Sequence, residues 1–161
     1  MKKLLPFLCL TLLLTSCGGE APASSPAPAD CSAEEAAQTV LGTKAFSEQL
    51  EVIDPAIAAA LYGIEEDQIL DCAAYLSTGA TAEECTFLLV ADDEIAIEVA
   101  KQFQLRVEDQ TMALENYQPA ELPKLEKAIH GYCSHEKGFL AYLVVANDAD
   151  AAQDAVDSLI S

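Results

Sequence analysis

Apolar residues recur every three or four positions between Asp92 and Pro119, which predicts one long amphipathic helix. One face of this helix would carry Ala96, Val99, Phe103, Val107, Gln110, Leu114 and Tyr117. Gln110 is the only polar residue in this stripe, and Pro119 is expected to end the helix after about six turns.

Four segments rich in β-branched and aromatic residues predict two β-hairpins. Segments 69–77 and 85–91 would be joined by a turn around Gly79, and segments 128–134 and 139–146 by the turn 135–138. Thr81 and Glu84 have the spacing of a helix capping box, but a strand-like run follows them, so at most one helical turn is expected there.

Shorter helices are predicted at both ends of this region. The sequence 32–35 (SAEE) matches a capping box for a helix that Gly42 would end. Asp54, Pro55 and Gly63 would frame a second helix. Its inward residues are expected to be Ile57, Ala60 and Leu61. Asp148 or Asp150 would begin a last helix that buries Ala152, Val156, Leu159 and Ile160.

The predicted order is therefore two helices followed by two strand-strand-helix units. Segments 87–93 and 142–148 resemble one another, either because of an ancient duplication or because strands that enter helices commonly look alike. Both interpretations predict an α+β domain with a mainly antiparallel four-stranded sheet formed from two ββα units. The helices are expected to pack on one face of that sheet, with the N-terminal helices added.

The first residues of the chain resemble a bacterial lipoprotein signal peptide. Lys2 and Lys3 precede the apolar run 4–14, which is shorter than the roughly twenty residues that span a bilayer. Ser16 and Cys17 then match the end of a lipobox, in which the cysteine receives the lipid. An ordinary secretory signal, or a buried helix with a chance cysteine, is the alternative. We expect residues 1–16 to be cleaved and Cys17 to be lipidated.

The segment 18–30 (GGEAPASSPAPAD) has no large apolar side chain to bury and is expected to be a disordered tether after Cys17. Residues 31–161 then suffice for a single domain. Residues 1–16 hold two of the eight basic residues and none of the 27 acidic ones, so cleavage would change the formal charge from −19 to −21. This acidity argues against nucleic-acid binding and favours attachment to the membrane through the lipid alone.

Several short motifs occur in an order that resembles the domain-of-unknown-function family 4358. They are the sequences 61–64 (LYGI) and 79–84 (GATAEE), Arg106 with Gln110, and Tyr117 with Pro119. The resemblance extends from about Phe46 to the C-terminus. It implies a lipid-anchored protein of a Gram-positive bacterium and implies no substrate, cofactor or catalytic residue.

Few residues have the spacing that is typical of metal-binding or catalytic sites. His130, Cys133 and His135 are close in sequence, but on a strand His130 would face away from the other two, so a zinc site is not expected. The sequence 147–150 (NDAD) begins like a calcium loop but lacks its glycine and glutamate, and it is interpreted as a helix cap. No cofactor is expected.

Arg106, Gln110, Tyr117 and Tyr62 are the candidate contacts to a ligand or partner. Arg106 and Gln110 lie one turn apart and could line a pocket for an anion or a polar ligand. Alternatively, Arg106 pairs with an acid such as Glu108, Asp109 or one across the sheet, while Gln110 satisfies backbone groups of the loop after Pro119. Tyr62 and Tyr117 could equally be core aromatics.

Cys31, Cys72, Cys85 and Cys133 allow three disulfide pairings or none. Buried free thiols are the first expectation, and Cys72–Cys85 is the pairing expected if one bridge exists. Together these patterns favour a non-enzymatic binding or interaction domain, lipid-anchored at the extracytoplasmic face of the membrane, whose partner is an unknown protein or envelope component. A small-molecule-binding lipoprotein that captures solutes is the alternative, and a hydrolase with an unrecognised site is a third.

Overall fold

The computed structural model describes residues 30–161. The expected signal peptide, the lipidated Cys17 and nearly all of the expected tether lie outside these residues. The helices are α1 (Ala33–Leu41), α2 (Pro55–Tyr62), α3 (Asp93–Leu114), α4 (Leu122–Leu125) and α5 (Ala149–Ile160). The strands are β1 (Glu51–Val52), β2 (Ile69–Leu76), β3 (Glu84–Val90), β4 (Ile129–His135) and β5 (Gly138–Val145).

The expected α+β class and antiparallel sheet are confirmed, but the sheet has five strands and not four. Its order is β1-β2-β3-β5-β4, and every neighbouring pair is antiparallel. The additional strand, β1, pairs Glu51 with Leu76 and Val52 with Tyr75 at the edge of the sheet. Both of its residues are exposed and it has only two, so no alternation of apolar and polar residues marks it.

Helices cover both faces of the sheet, which corrects the expectation that they pack on one. Phe87, Leu89 and Tyr142 point into a core with α1 and α5, whereas Leu88, Val90 and Leu143 point into a second core with α2, α3 and α4. The central strand β3 is buried along its whole length. A strand enclosed on both sides has no polar face, which explains its nearly continuous apolar run.

The long helix α3 buries the first half of its predicted stripe. Ala96, Val99 and Phe103 are buried, and Val107 and Leu114 are partly buried against the same core. The helix ends at Leu114, earlier than the position of Pro119 implies. Tyr117 is 85% exposed and lies outside the core, so its place in the stripe was wrong.

The predicted helix caps are confirmed at the other helices. Ser32 and Glu35 form the capping box of α1, Asp54 caps α2, and Gly63 ends α2 in the left-handed conformation with φ of 65°. Asp148 caps α5. The predicted inward face of α2 is wrong, because the helix buries Ala58, Ala59 and Tyr62. Since α2 is apolar nearly all round, its periodicity does not select a face.

The positions of α3 and α5 contradict a duplication of one ββα unit. A duplication would relate the two units by a two-fold axis that exchanges the antiparallel neighbours β3 and β5. Such an axis runs perpendicular to the sheet and does not exchange its faces. The helices that follow β3 and β5 would then lie on the same face. In the structure, α3 packs on one face and α5 on the other. The similarity of segments 87–93 and 142–148 therefore reflects how strands enter helices.

Candidate functional site

A buried ionic cluster lies where β3 begins. The Glu84 side chain is 1% exposed, and Arg106 of α3 donates to both of its carboxylate oxygens from Nε, at 2.9 and 3.2 Å. The Tyr62 hydroxyl donates to Glu84 Oε1 at 2.6 Å, and it lies 2.7 Å from the Thr86 hydroxyl. Since the tyrosine proton is used by Glu84, the Thr86 hydroxyl donates to Tyr62. The cluster joins α2, α3 and β3.

Aromatic contacts of Tyr62 also stabilise this cluster. The Tyr62 and Phe103 rings meet edge to face with centroids 4.9 Å apart, and the Arg106 guanidinium carbon lies 5.9 Å from the Tyr62 centroid. Burial raises the pKa of Glu84, an effect that Arg106 and Tyr62 oppose without cancelling. Burial and the Glu84 charge raise the pKa of Tyr62 well above 10.0, so its phenol remains a hydrogen-bond donor.

The preceding residue, Glu83, anchors a second cluster. Its fully buried carboxylate accepts from Ser47 N at 2.9 Å and from Lys124 Nζ at 2.9 Å. Lys124 also lies 3.0 Å from Glu121. Burial lowers the pKa of Lys124, but its hydrogen bonds to the two carboxylates outweigh that effect and raise it. This cluster ties α4 and the segment after α1 to the start of β3.

Above the Glu84 cluster, a shallow cleft separates α2 from α3. Its walls are Leu61, Tyr62, Gln102, Leu105, Arg106 and Asp109, and its volume is about 100 Å³. Leu61 of α2 and Leu105 of α3 both line it and are 37% and 42% exposed, and Ile57, one turn before Leu61, is 59% exposed. Arg106 lines the cleft, and it bonds Glu84 through Nε. We call Ile57, Leu61, Leu105 and this cleft the α2–α3 surface.

The four residues singled out from the sequence do not form one site. Arg106 and Tyr62 meet at Glu84, and the acid that pairs with Arg106 lies on β3, beneath α3, and not in the same helix as Arg106. Gln110 Oε1 is buried with no hydrogen-bond partner among the described residues, so it does not bind the backbone of the loop after Pro119. Tyr117 is exposed and contributes to neither cluster.

Sequence reasoning missed Glu83, Glu84 and Thr86 as partners in these clusters. Glu84 was considered as part of a capping box with Thr81, and both acids as part of the motif 79–84, whereas in the structure Glu84 begins β3. Two adjacent acids at the start of an apolar strand were an available signal, because buried carboxylates need cationic partners and Arg106 is the only arginine.

The described residues contain no group of three or more histidine, cysteine, aspartate or glutamate side chains that could hold a metal ion. Cys31, Cys72, Cys85 and Cys133 are free thiols. A Cys72–Cys85 bridge is excluded because Cys72 packs into the core on one face of the sheet and Cys85 into the core on the other. Within residues 30–161, no helix is both long and apolar enough to cross a membrane.

Comparison with known proteins gives one match. The family model described as Domain of unknown function (DUF4358) matches residues 45–146, which is more than half of the chain. The matched range contains both ionic clusters and all four motifs on which the resemblance rests. No curated protein and no solved structure matches the chain.

Proposed function

We propose that this chain, which belongs to the family Domain of unknown function (DUF4358), is a non-enzymatic binding domain anchored at the extracytoplasmic face of the cell membrane. The anchor would be a lipid on Cys17, and the tether 18–30 would hold the folded domain away from the bilayer. The lipobox-like sequence and the absence of large apolar residues in the tether support this arrangement.

The observation that carries the binding role is the α2–α3 surface. Ile57, Leu61 and Leu105 are exposed, whereas most of the other large apolar side chains in the described domain are buried or partly buried. Single exposed apolar residues are common, but exposed apolar residues on two helices that line one groove are more typical of an interaction surface. The Glu84–Arg106–Tyr62 cluster fixes the positions of the two helices that form the groove, because it joins both of them to the sheet.

The charge around the surface indicates the chemistry of the partner. Asp109 lines the cleft, and Glu108 and Glu98 lie on the exposed part of the same helix. The whole chain has a formal charge of −19, so a basic partner would be attracted and an acidic one repelled. The surface therefore suits a protein segment that inserts an apolar side chain between Leu61 and Leu105 and places lysine or arginine beside Asp109.

Capture of a small solute is the second candidate. Arg106 at the cleft and the unpartnered Gln110 Oε1 favour it. The cleft volumes oppose it: the α2–α3 cleft holds about 100 Å³, and another cleft, lined by Pro55, Glu66 and Cys72, holds about 280 Å³. Ligand sites usually measure roughly 300–1,000 Å³ and are more enclosed.

In-cell crosslinking from the full-length chain, followed by mass spectrometry of the adducts, tests the proposal. The double variant Leu61→Glu, Leu105→Glu should reduce recovery of the specific adduct by about tenfold or more, because two charges would enter an apolar contact. Tyr132→Glu is the control, since Tyr132 is also 37% exposed but lies on β4, at the far edge of the sheet from β2 and α2.

The assignment of this surface would be overturned if recovery of the adduct fell equally in the double variant and the control, or if it fell in neither. An adduct whose recovery falls with Arg106→Met but not with the double leucine variant would favour the solute site instead. Thermal melts of each variant establish that it remains folded.

A further inference from the structure

The start of the folded domain is attached to the edge strand β4. His135 is 7% exposed at the end of β4, and its Nε2 lies 3.0 Å from the carbonyl oxygen of Cys31. The Lys137 backbone N–H donates to His135 Nδ1 at 3.1 Å. Since Nδ1 accepts, the proton of the neutral ring is on Nε2 and is donated to Cys31. His135 therefore holds Cys31 in place through its backbone.

Cys133 lies on the same side of β4 as His135. Side chains two residues apart on a strand share a face and are separated by roughly 7 Å. Cys133 and Cys31 both pack against the core that contains Leu140, the residue paired with Cys133 on β5. Burial raises the pKa of Cys133, and the nearby Cys31 raises it further, as expected for two sulfurs whose negative charges would repel each other.

From this arrangement we propose that Cys31 and Cys133 form a disulfide bond when the domain meets a disulfide-containing oxidant. One cysteine thiolate attacks the disulfide of the oxidant, forms a mixed disulfide and displaces a first thiolate. The other cysteine thiolate attacks the mixed disulfide and displaces the second. Two protons leave the cysteines, and two electrons reduce the oxidant to a dithiol or to two thiols.

The positions of the remaining thiols make this pairing selective. Cys85 is fully buried beneath α1, and its pKa is raised strongly by burial, so little of it is a reactive thiolate. Cys72 faces the opposite core. A shared metal ion is not an alternative explanation, because the described residues bring together no third ligand of suitable geometry around Cys31 and Cys133.

The bond would close a covalent loop from the first residues of the domain to its edge strand. Without it, one hydrogen bond, from His135 to the Cys31 carbonyl oxygen, links this residue to β4. With it, the beginning of the domain cannot separate from β4 without reduction.

Peptide mapping of the full-length chain after incubation with glutathione disulfide, against a sample kept in dithiothreitol, tests the proposal. Trypsin places Cys31 in the peptide that ends at Lys44, Cys133 in peptide 128–137, and Cys72 and Cys85 together in peptide 45–101. The peptide that ends at Lys44 begins at Leu4 in the unprocessed chain and then also contains Cys9 and Cys17, so the Cys31→Ser variant identifies which thiol is linked. The oxidised sample should contain peptide 128–137 linked to the peptide that ends at Lys44, and dithiothreitol should abolish that species.

The oxidised chain should also melt about 10 °C higher than the reduced chain, because the bond closes a long loop. Cys31→Ser should abolish both the linked peptides and the shift, whereas the control Cys72→Ser should retain both. An oxidised wild-type sample in which both peptides carry only free or glutathionylated thiols, or in which either is joined to peptide 45–101, would overturn the proposal.

Discussion

Replacing Arg106 with methionine should destabilise the domain mainly by leaving the Glu84 carboxylate unpaired. Methionine retains most of the aliphatic length of arginine and removes the charge, so the loss of packing is small. Breaking a buried ion pair by removing one partner costs about 3–5 kcal/mol. The Glu84 side chain is 1% exposed, but Arg106 is 19% exposed and Tyr62 still donates to Glu84, so we expect about 3 kcal/mol at pH 7.

The cost should depend on pH in a direction set by Glu84. Its pKa in the folded domain is raised above the ordinary value of 4.5, chiefly by burial. A group of this kind contributes stability that is fully present below its unfolded pKa and is lost as the pH rises through its folded pKa. Without the Arg106 cation the folded pKa rises further, so the destabilisation by Arg106→Met should be larger at pH 7 than at pH 4.

Urea denaturation monitored by circular dichroism at both pH values measures these differences. Adding Glu84→Gln to the Arg106→Met chain should recover stability at pH 7, because no buried charge remains. Lys101→Met is the control: Lys101 lies on the same helix and contacts Glu98 at 3.5 Å, but both side chains are more than half exposed, and a change of less than about 0.5 kcal/mol is expected. Two results would contradict this prediction: a loss of stability in Arg106→Met as small as that in Lys101→Met, or a further loss of stability when Glu84→Gln is added to Arg106→Met.

Three further changes test other parts of the structure. Phe103→Ala should cost about 3–5 kcal/mol in urea denaturation by leaving a cavity beneath α3, whereas the exposed Glu108→Ala should stay within about 0.5 kcal/mol; equal effects would contradict the packing of α3. Cys17→Ala should abolish incorporation of labelled fatty acid, and persistent label would refute the lipid anchor. Gly138→Ala should lower the melting temperature by roughly 10 °C or more, because φ of Gly138 is 147° and the new Cβ would lie 2.1 Å from the Val90 carbonyl oxygen. An unchanged melting temperature would show that the β4–β5 hairpin can shift to make room for the methyl group.

The hairpins and caps were predictable because they depend on local chemistry. The four long strands begin and end within about two residues of the predicted positions, since turn residues such as Gly138 bound their apolar runs. The caps at Ser32 and Asp54 follow from side chains that satisfy backbone donors within the same turn.

What could not be predicted depends on contacts distant in sequence. The short strand β1 exists because Glu51 and Val52 meet the edge of β2, and nothing in their own pattern indicates this. The buried partner of Arg106 is 22 residues away, at a position whose spacing also fits a helix cap. The buried run of β3 was visible, but it was not interpreted as a strand enclosed by two layers of helices.

The strand order also determines how late in synthesis the domain can fold. β5 lies between β3 and β4, so β3 has only one neighbouring strand until Gly138–Val145 have been made. Until then neither core is enclosed, because each takes side chains from β5. Because this inner strand is made after the other four, the domain cannot complete its fold until β5 has been synthesised. An incompletely folded chain is the state in which a polypeptide can pass through a translocation channel.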